Sequence, residues 1–176
     1  LSIKSIIGIA AFGKMAVMNN DKETGRKYLD KAKEMAAQWE QMGLASDHYR
    51  LAFDQPESWS QKYNLIWDKY LGLNLFNPEV YQKEIAFYLK KMNCYGLPLD
   101  SRATYTKADW ILWSAALADK EENFRELIAP LYKYATETQS RVPMSDWYET
   151  TTGNMVDFQA RSVLGAFFIK IILDDL

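Results

Sequence analysis

Three stretches of this 176-residue chain combine charged, aromatic and turn-forming residues in the same way. They read DHYRLAFDQPESWSQK, NCYGLPLDSRATY and QSRVPMSDWYETTTGNMVD. Each contains at least one Asp, one Arg, one Pro and one aromatic ring. Carboxylates can transfer protons, guanidinium groups bind carboxylates through paired hydrogen bonds, and aromatic rings stack on flat ligands. We therefore expect these stretches to form a site for a polar small molecule.

The candidate site residues come from these three stretches. Asp100 and Asp146 are the candidate catalytic residues, because one carboxylate can activate water while a second carboxyl group protonates a leaving group. The candidate substrate-binding residues are arginines and aromatic residues, namely Arg50, Arg102, Arg141, Trp147, Tyr148 and Trp59. Loop Asp and Arg residues can equally pair with each other or bind loop backbone groups, so a purely structural role stays open.

Other kinds of site have less support in the sequence. His48 is the only histidine and no G-x-S-x-G motif accompanies it, which disfavours a nucleophilic triad. Cys94 is the only cysteine, which excludes an internal disulfide and a Cys-based zinc cluster. We expect neither a metal nor another cofactor. Asp68 and Asp109 lie near the starts of apolar helices, where we interpret them as favourable partners of the helix dipole.

Composition and charge restrict the classes of partner. The net charge is −2, and Lys and Arg alternate with Asp and Glu, so we expect no nucleic-acid partner. The most apolar run, 163–173, is too short for a membrane span and contains Lys170. With 48% hydrophobic residues, the chain is long enough for one domain over 1–176. Its abrupt start in an apolar segment indicates a piece of a longer protein.

The predicted helices are of two alternating kinds. Four are apolar on nearly all sides and begin near residues 2, 60, 107 and 158, at a spacing of roughly 50 residues. Between them lie three helices with a single apolar stripe, at about 24–42, 78–92 and 121–138. Buried inner helices wrapped by half-exposed outer helices satisfy this alternation. The sequence therefore predicts an all-α fold, an incomplete α/α toroid of about seven helices.

The long connections all lead into the apolar helices. Because successive helices are antiparallel, we expect the three long connections to emerge on one face, where binding groups are commonly placed. Short β-hairpins are expected within two of them, pairing 48–53 with 58–63 and 147–150 with 155–157. Thr106 and Asp109 have the spacing of a capping box before the third apolar helix.

Long blocks of the sequence resemble a known family. The blocks are LAFDQPESWSQKYNLIWDKYLGLNLF, YGLPLDSRATYTKADWILW and SRVPMSDWYETTTGNMVDFQARSVLGAFF, and they resemble the C-terminal part of the glutaminase A family of bacteria and fungi. The resemblance implies a six-hairpin toroid, of the kind also found in glycosidases, that follows N-terminal domains absent from this chain. It also implies a secreted, periplasmic or cell-envelope protein that hydrolyses the side-chain amide of L-glutamine. The missing N-terminal part of the same polypeptide would supply the rest of the ring.

Two functions are consistent with these features. The chain can be the C-terminal fragment of a glutaminase-type amide hydrolase, inactive by itself because part of the ring is missing. Alternatively, it can be a carbohydrate-active or carbohydrate-binding module of the α/α-toroid type that stacks sugars on Trp59, Trp147 and Tyr148. The small-molecule substrate would be glutamine in the first case and a sugar in the second. Fold by itself does not choose between these functions.

Overall fold

The structure, a computed structural model, describes residues 1–175 and is mostly helical. The seven α-helices of this part of the chain are α1 (Ser2–Met18), α2 (Lys22–Gly43), α3 (Ile66–Tyr70), α4 (Pro78–Leu89), α5 (Ala108–Ala115), α6 (Glu121–Glu137) and α7 (Ile169–Asp174). Two 3₁₀ helices lead directly into α3 and α7, at Tyr63–Leu65 and Ser162–Phe168. The predicted all-α class is confirmed.

A two-stranded antiparallel sheet joins the second long connection to the third. Strand β1 (Tyr105–Lys107) pairs with β2 (Trp147–Glu149), so that Thr106 faces Tyr148 in the register. This sheet lies immediately before α5 and fixes where that helix begins. Its strands were not predicted, because three residues are too few to show an alternating pattern.

The two predicted hairpins form only as isolated bridges. Arg50 pairs with Trp59 in the first connection, and Tyr148 pairs with Met155 in the third. One backbone bond beside the second bridge runs from the Val156 nitrogen to the Trp147 oxygen, at 2.9 Å. Neither bridge extends into a ladder of its own.

Helices α1 and α2 pack closely because glycines occupy their contact. A Cβ atom on Gly25 would lie 2.4 Å from Cγ2 of Val17 and 3.0 Å from the carbonyl oxygen of Gly13. The apolar stripe of α2 is buried at Trp39, whereas Lys31 on the opposite side is exposed. The prediction of an amphipathic helix here is confirmed.

The middle two of the four apolar helices are covered, as predicted. Every residue of α5 is buried or half-buried, and so is every residue of α3. The same expectation is wrong for the first and last apolar helices, since Phe12 is 47% exposed and Phe168 is 61% exposed. Their outer sides face away from the rest of residues 1–175. None of the helices in this range combines the length and apolarity needed to cross a membrane.

Candidate functional site

The three long connections meet beside the start of α5, as their predicted placement on one face requires. The Gln61 nitrogen donates to the Leu99 oxygen at 2.8 Å, which joins the first connection to the second. The Thr150 nitrogen donates to the Thr104 oxygen at 3.1 Å, and the β1–β2 pairing continues this second junction. Backbone hydrogen bonds therefore hold the candidate residues on a common framework.

The buried side chain of Gln61 links this framework to α5. Its amide nitrogen donates to the carbonyl oxygens of Leu97 and Pro98, at 3.1 and 3.0 Å. The same nitrogen lies 3.2 Å from the hydroxyl oxygen of Thr106, and the Gln61 oxygen accepts from the Ser114 hydroxyl at 3.2 Å. One side chain thus satisfies polar groups on three segments, as a buried polar group must.

A cavity of about 320 Å³ lies between the first two connections and the start of α1. Arg50, Asp100 and Arg102 line it, so three of the predicted site residues share one cavity. Tyr63 and Trp110 also line it, and their rings stack with centroids 3.9 Å apart. The cavity therefore offers charged groups beside an aromatic wall.

Arg102 binds Asp100 through two parallel hydrogen bonds. Its Nε lies 3.0 Å from Oδ1 and its Nη2 lies 2.7 Å from Oδ2 of Asp100. The backbone nitrogen of Arg102 also donates to Oδ1, at 2.9 Å. Burial by itself would raise the pKa of Asp100, but the hydrogen bonds and charge of Arg102, aided by the charge of Lys62, lower the pKa overall. Asp100 is therefore a carboxylate at neutral pH.

Arg50 differs from Arg102 because its charge is not balanced by a carboxylate. Among residues 1–175, no carboxylate oxygen lies within 4.0 Å of its guanidinium group. Its Nε is buried and has no hydrogen-bond acceptor in the described part of the chain. A buried donor without a partner is costly, and a bound anion would relieve that cost. Arg50 is thus the arginine of this cavity that is best placed to bind a ligand carboxylate.

Lys62 also borders the cavity, but its ammonium group is already used. It donates to the carbonyl oxygens of Tyr49 and Ser60, at 2.8 and 2.9 Å, and lies 3.8 Å from a carboxylate oxygen of Glu84. Burial lowers the pKa of Lys62, and the neighbouring carboxylates oppose that shift. These contacts hold the first connection in place.

Asp146 lies outside this cavity, next to the first turn of α5. Its backbone oxygen accepts from the Ala108 nitrogen at 2.8 Å. Its carboxylate is 1% exposed, and Oδ2 lies 3.4 Å from Lys107 Nζ and 3.5 Å from Arg161 Nη1. Oδ1 is buried and has no hydrogen-bond partner among residues 1–175. Sequence reasoning missed Lys107 and Arg161 because both flank the stretches in which it looked for charged groups.

Asp109, interpreted from the sequence as a helix-dipole partner, is a buried carboxyl group in the second position of α5. The predicted capping box is wrong, because Thr106 belongs to β1 and Lys107 is the N-cap, without a side-chain capping bond. Oδ1 of Asp109 is buried and has no hydrogen-bond partner within the described residues. Burial raises the pKa of Asp109, and the negative charge of Asp146 adds to the shift.

The other acidic residue interpreted in this way, Asp68, has a clear structural role. It accepts from the backbone nitrogens of Leu75 and Phe76, at 3.0 and 3.4 Å. The hydroxyl of Tyr81 donates to it at 2.5 Å. Asp68 is therefore buried with its partners, unlike Asp109.

Arg141, a predicted substrate-binding residue, lies apart from both carboxyl sites. It is exposed and donates through Nη1 to the carbonyl oxygens of Thr136 and Thr138, at 3.2 and 3.3 Å. These acceptors belong to the C-terminal end of α6, where a cation is favourable.

The three predicted aromatic binding residues have different surroundings. Trp59 is buried and packs edge-to-face against Phe87, with ring centroids 5.6 Å apart. Tyr148 is fully buried and stacks on Tyr134 at 3.5 Å. Trp147 is half-buried, and its ring lies 4.5 Å from the ammonium group of Lys107. Of the three, only Trp147 lies beside a carboxyl site and retains substantial exposure.

Metal-binding clusters were sought among the same residues. Residues 1–175 contain no group of three or more His, Cys, Asp and Glu side chains arranged to hold a metal ion. His48 is buried, with its ring stacked on Phe87 and its Nδ1 3.0 Å from a carboxylate oxygen of Asp47.

The fold and the site together define an all-α domain with a charged cavity where its long connections meet. A family model described as the glutaminase A six helical-hairpin domain matches residues 1–171. The chain belongs to this family, as its sequence blocks indicated.

Two relatives extend the comparison. Glutaminase A of Aspergillus oryzae (strain ATCC 42149 / RIB 40) is 36% identical over 98% of this chain and 26% of the relative's length. A protein named "Probable glutaminase" from Arthroderma benhamiae (strain ATCC MYA-4681 / CBS 112371) is 27% identical over 99% of this chain and 24% of the relative. The chain thus spans about a quarter of the length of these curated relatives.

Proposed function

We propose that this chain is the C-terminal part of a longer polypeptide that hydrolyses the side-chain amide of L-glutamine to L-glutamate and ammonia. The observation that carries this proposal is the unpaired guanidinium group of Arg50 beside the carboxylate of Asp100 in one cavity. An amino-acid substrate brings a carboxylate for the first group and a hydrolysable amide for the second. Membership of the glutaminase A family supports the same substrate class.

Each charged group of the cavity then has a role. Arg50 binds the α-carboxylate of glutamine, because its donors match a carboxylate in geometry and charge. Asp100 accepts a proton from the attacking water, since its lowered pKa keeps it ionised at neutral pH. Arg102 orients Asp100 through the paired hydrogen bonds.

The same polypeptide would complete the ring of helices. We assign 1–176 to a single domain that forms the C-terminal part of an α/α toroid, with the remaining hairpins supplied by an N-terminal part. The exposed apolar sides of α1 and α7 support this arrangement, because Met15 and Ile171 present apolar surface that packing would bury. We further propose that the protein is secreted or lies in the periplasm or cell envelope, as the family resemblance implies.

The aromatic wall of the cavity favours a second candidate function. Tyr63 and Trp110 form a flat, partly buried surface next to Asp100. Such surfaces bind sugar rings by stacking, so a carbohydrate-active or carbohydrate-binding toroid module is the alternative.

Ammonia release separates the two candidates. The full-length polypeptide is incubated with L-glutamine and, in parallel, with a panel of aryl glycosides. We expect ammonia from glutamine and no glycoside cleavage, and Asp100→Asn lowers glutamine turnover by a factor on the order of 100. This chain by itself should have little activity, because an incomplete ring leaves the reacting groups open to water. Glycoside cleavage without ammonia release would exclude the glutaminase proposal.

A further inference from the structure

Amide hydrolysis requires a proton donor that the cavity itself does not provide. The leaving ammonia must be protonated as the C–N bond breaks. Asp100 is unsuited to this step, since the hydrogen bonds and charge of Arg102, opposed by burial, lower its pKa overall. A group that holds its proton at neutral pH must lie close by.

Asp109 is a buried carboxyl group next to the aromatic wall of the cavity. It is 5% exposed, and its Oδ1 has no hydrogen-bond partner within residues 1–175. The next residue, Trp110, lines the cavity and stacks on Tyr63. The charge of Asp109 reaches Tyr63, whose pKa is raised first by burial and then by this charge. Asp109 therefore borders the cavity that holds Asp100.

From this placement we infer that Asp109 is the general acid that protonates the leaving ammonia, a role that rests on the proposed amide hydrolysis. Asp100 and Asp109 would then act as base and acid on the same substrate. Nothing in the family assignment distinguishes Asp109 from the other acidic residues.

The charged neighbours of Asp109 fit this assignment. Asp146 and Lys107 lie around the first turn of α5, and Arg161 lies behind Asp146. Burial and the charge of Asp146 raise the pKa of Asp109, while Lys107 opposes the shift. Because Arg161 and Lys107 both contact Asp146, its charge is balanced without either cation contacting Asp109 closely enough to form an ion pair within the described residues. A carboxylic acid kept neutral by its surroundings can donate a proton at neutral pH.

The proposed step is balanced in atoms and protons. Asp100 takes one proton from water as the water oxygen bonds to the amide carbon. The C–N bond then breaks while Asp109 gives its proton to the leaving nitrogen, so that ammonia departs and a carboxylic acid forms. Asp100 releases its proton to solvent and Asp109 regains one, which restores the starting state.

Two substrates with different leaving groups test this role in the full-length polypeptide. One is L-glutamine, and the other is the γ-(4-nitrophenyl) ester of L-glutamate, whose leaving group departs without a proton. We expect Asp109→Asn to lower glutamine turnover by a factor on the order of 100 or more but ester turnover by less than about tenfold. Asp100→Asn should lower turnover of both substrates, because both need activated water.

Melting temperatures of the same proteins provide the structural control. We expect Asp109→Asn to melt at or above the wild-type temperature at pH 7, since an unpartnered buried carboxyl group destabilises the fold. The matched variant is Asp68→Asn, in an equally buried carboxylate whose partners are all within the chain. It should melt at a lower temperature, while its folded fraction keeps turnover within about twofold of wild type.

The outcomes separate the inference from the proposed function. If Asp109→Asn keeps glutamine turnover, or loses both substrates equally with normal melting, Asp109 is not the general acid. A lowered melting temperature with partial loss on both substrates assigns Asp109 a structural role and also overturns the inference. Should Asp109→Asn not fold, Asp109→Glu must retain a preference for the ester over glutamine that exceeds that of wild type. A wild type that cleaves glycosides instead of glutamine overturns the proposed function, and loss of that cleavage in Asp109→Asn would leave the proton donor standing.

Discussion

Two carboxyl groups near one cavity have opposite environments at the residue scale. Asp100 is partly buried, yet the hydrogen bonds and charge of Arg102 outweigh that burial and lower its pKa. Asp109 lacks such a partner, so burial raises its pKa. Environments that separate the pKa values of two acids are how proteins obtain a base and an acid from one residue type.

The unpaired charge of Arg50 leads to a prediction about substrate affinity. In the full-length polypeptide, Arg50→Gln should raise KM for glutamine by about tenfold or more and change kcat by less than about threefold, because a charge-assisted hydrogen bond to the substrate carboxylate is lost. Steady-state ammonia release measures both constants. The control is Arg26→Gln, at an exposed position of α2, which should leave both unchanged. An Arg50→Gln enzyme with wild-type KM would remove Arg50 from the binding site.

The Asp100–Arg102 pair predicts a pH dependence of stability. The folded-state pKa of Asp100 is lowered, so its contribution is complete above the unfolded-state pKa of about 3.9 and is lost as pH falls through the folded-state value. Asp100→Asn should therefore lower the melting temperature at pH 7 and have progressively less effect below about pH 4. Calorimetric scans from pH 2.5 to 7 measure this difference.

A second Asp in the first connection controls for removal of a loop charge. Asp54→Asn changes an exposed residue, and its melting temperature should stay close to wild type throughout the pH range. A constant offset of Asp100→Asn at every pH would mean that the pair does not stabilise the fold through its charge.

At the scale of elements, the α1–α2 contact depends on the absence of side-chain atoms. Gly25→Ala should destabilise the chain by about 1–3 kcal/mol, because its Cβ would lie 2.4 Å from Cγ2 of Val17. Gly8→Ala, in α1, meets no atom within 4 Å and should stabilise the helix by about 0.5–1 kcal/mol. Urea unfolding measures both. The contact is wrongly described if the two substitutions shift stability in the same direction.

The whole molecule presents apolar surface at both of its ends in sequence. Phe12 and Met15 on α1, and Phe168 and Ile171 near the C-terminus, are each more than a third exposed. Patches of this kind indicate a surface that another part of a protein covers. This is the expected consequence if the chain is one part of a ring of helices.

The proposed covering leads to a comparison between this chain and the full-length polypeptide. The double substitution Phe168→Ser and Ile171→Ser should change the melting temperature of this chain by less than about 2 °C, because the side chains are already exposed. It should lower the melting temperature of the full-length polypeptide by several degrees, because apolar burial is lost there. Thermal scans of the four proteins test this. Equal small shifts in both lengths would show that no further part of the polypeptide covers this surface.

Helix type, helix order and the glutaminase A resemblance could be inferred from the sequence. The apolar stripe of α2 and the Asn77-Pro78 start of α4 are local signals, so helices could be placed within a few residues. The three polar connections were also recognisable, because residue type is visible without coordinates. These features depend on neighbours along the chain, which a sequence displays directly.

Only the tertiary structure decided which polar residues share an environment. The pairing of β1 with β2 brings Lys107 beside Asp146, and the packing of the chain after β2 adds Arg161. Asp68 and Asp109 look alike in the sequence, yet one is fully hydrogen-bonded and the other is not. The difference arises from contacts between residues far apart in the chain. Burial and pKa depend on those contacts, so periodicity and spacing could not reveal them.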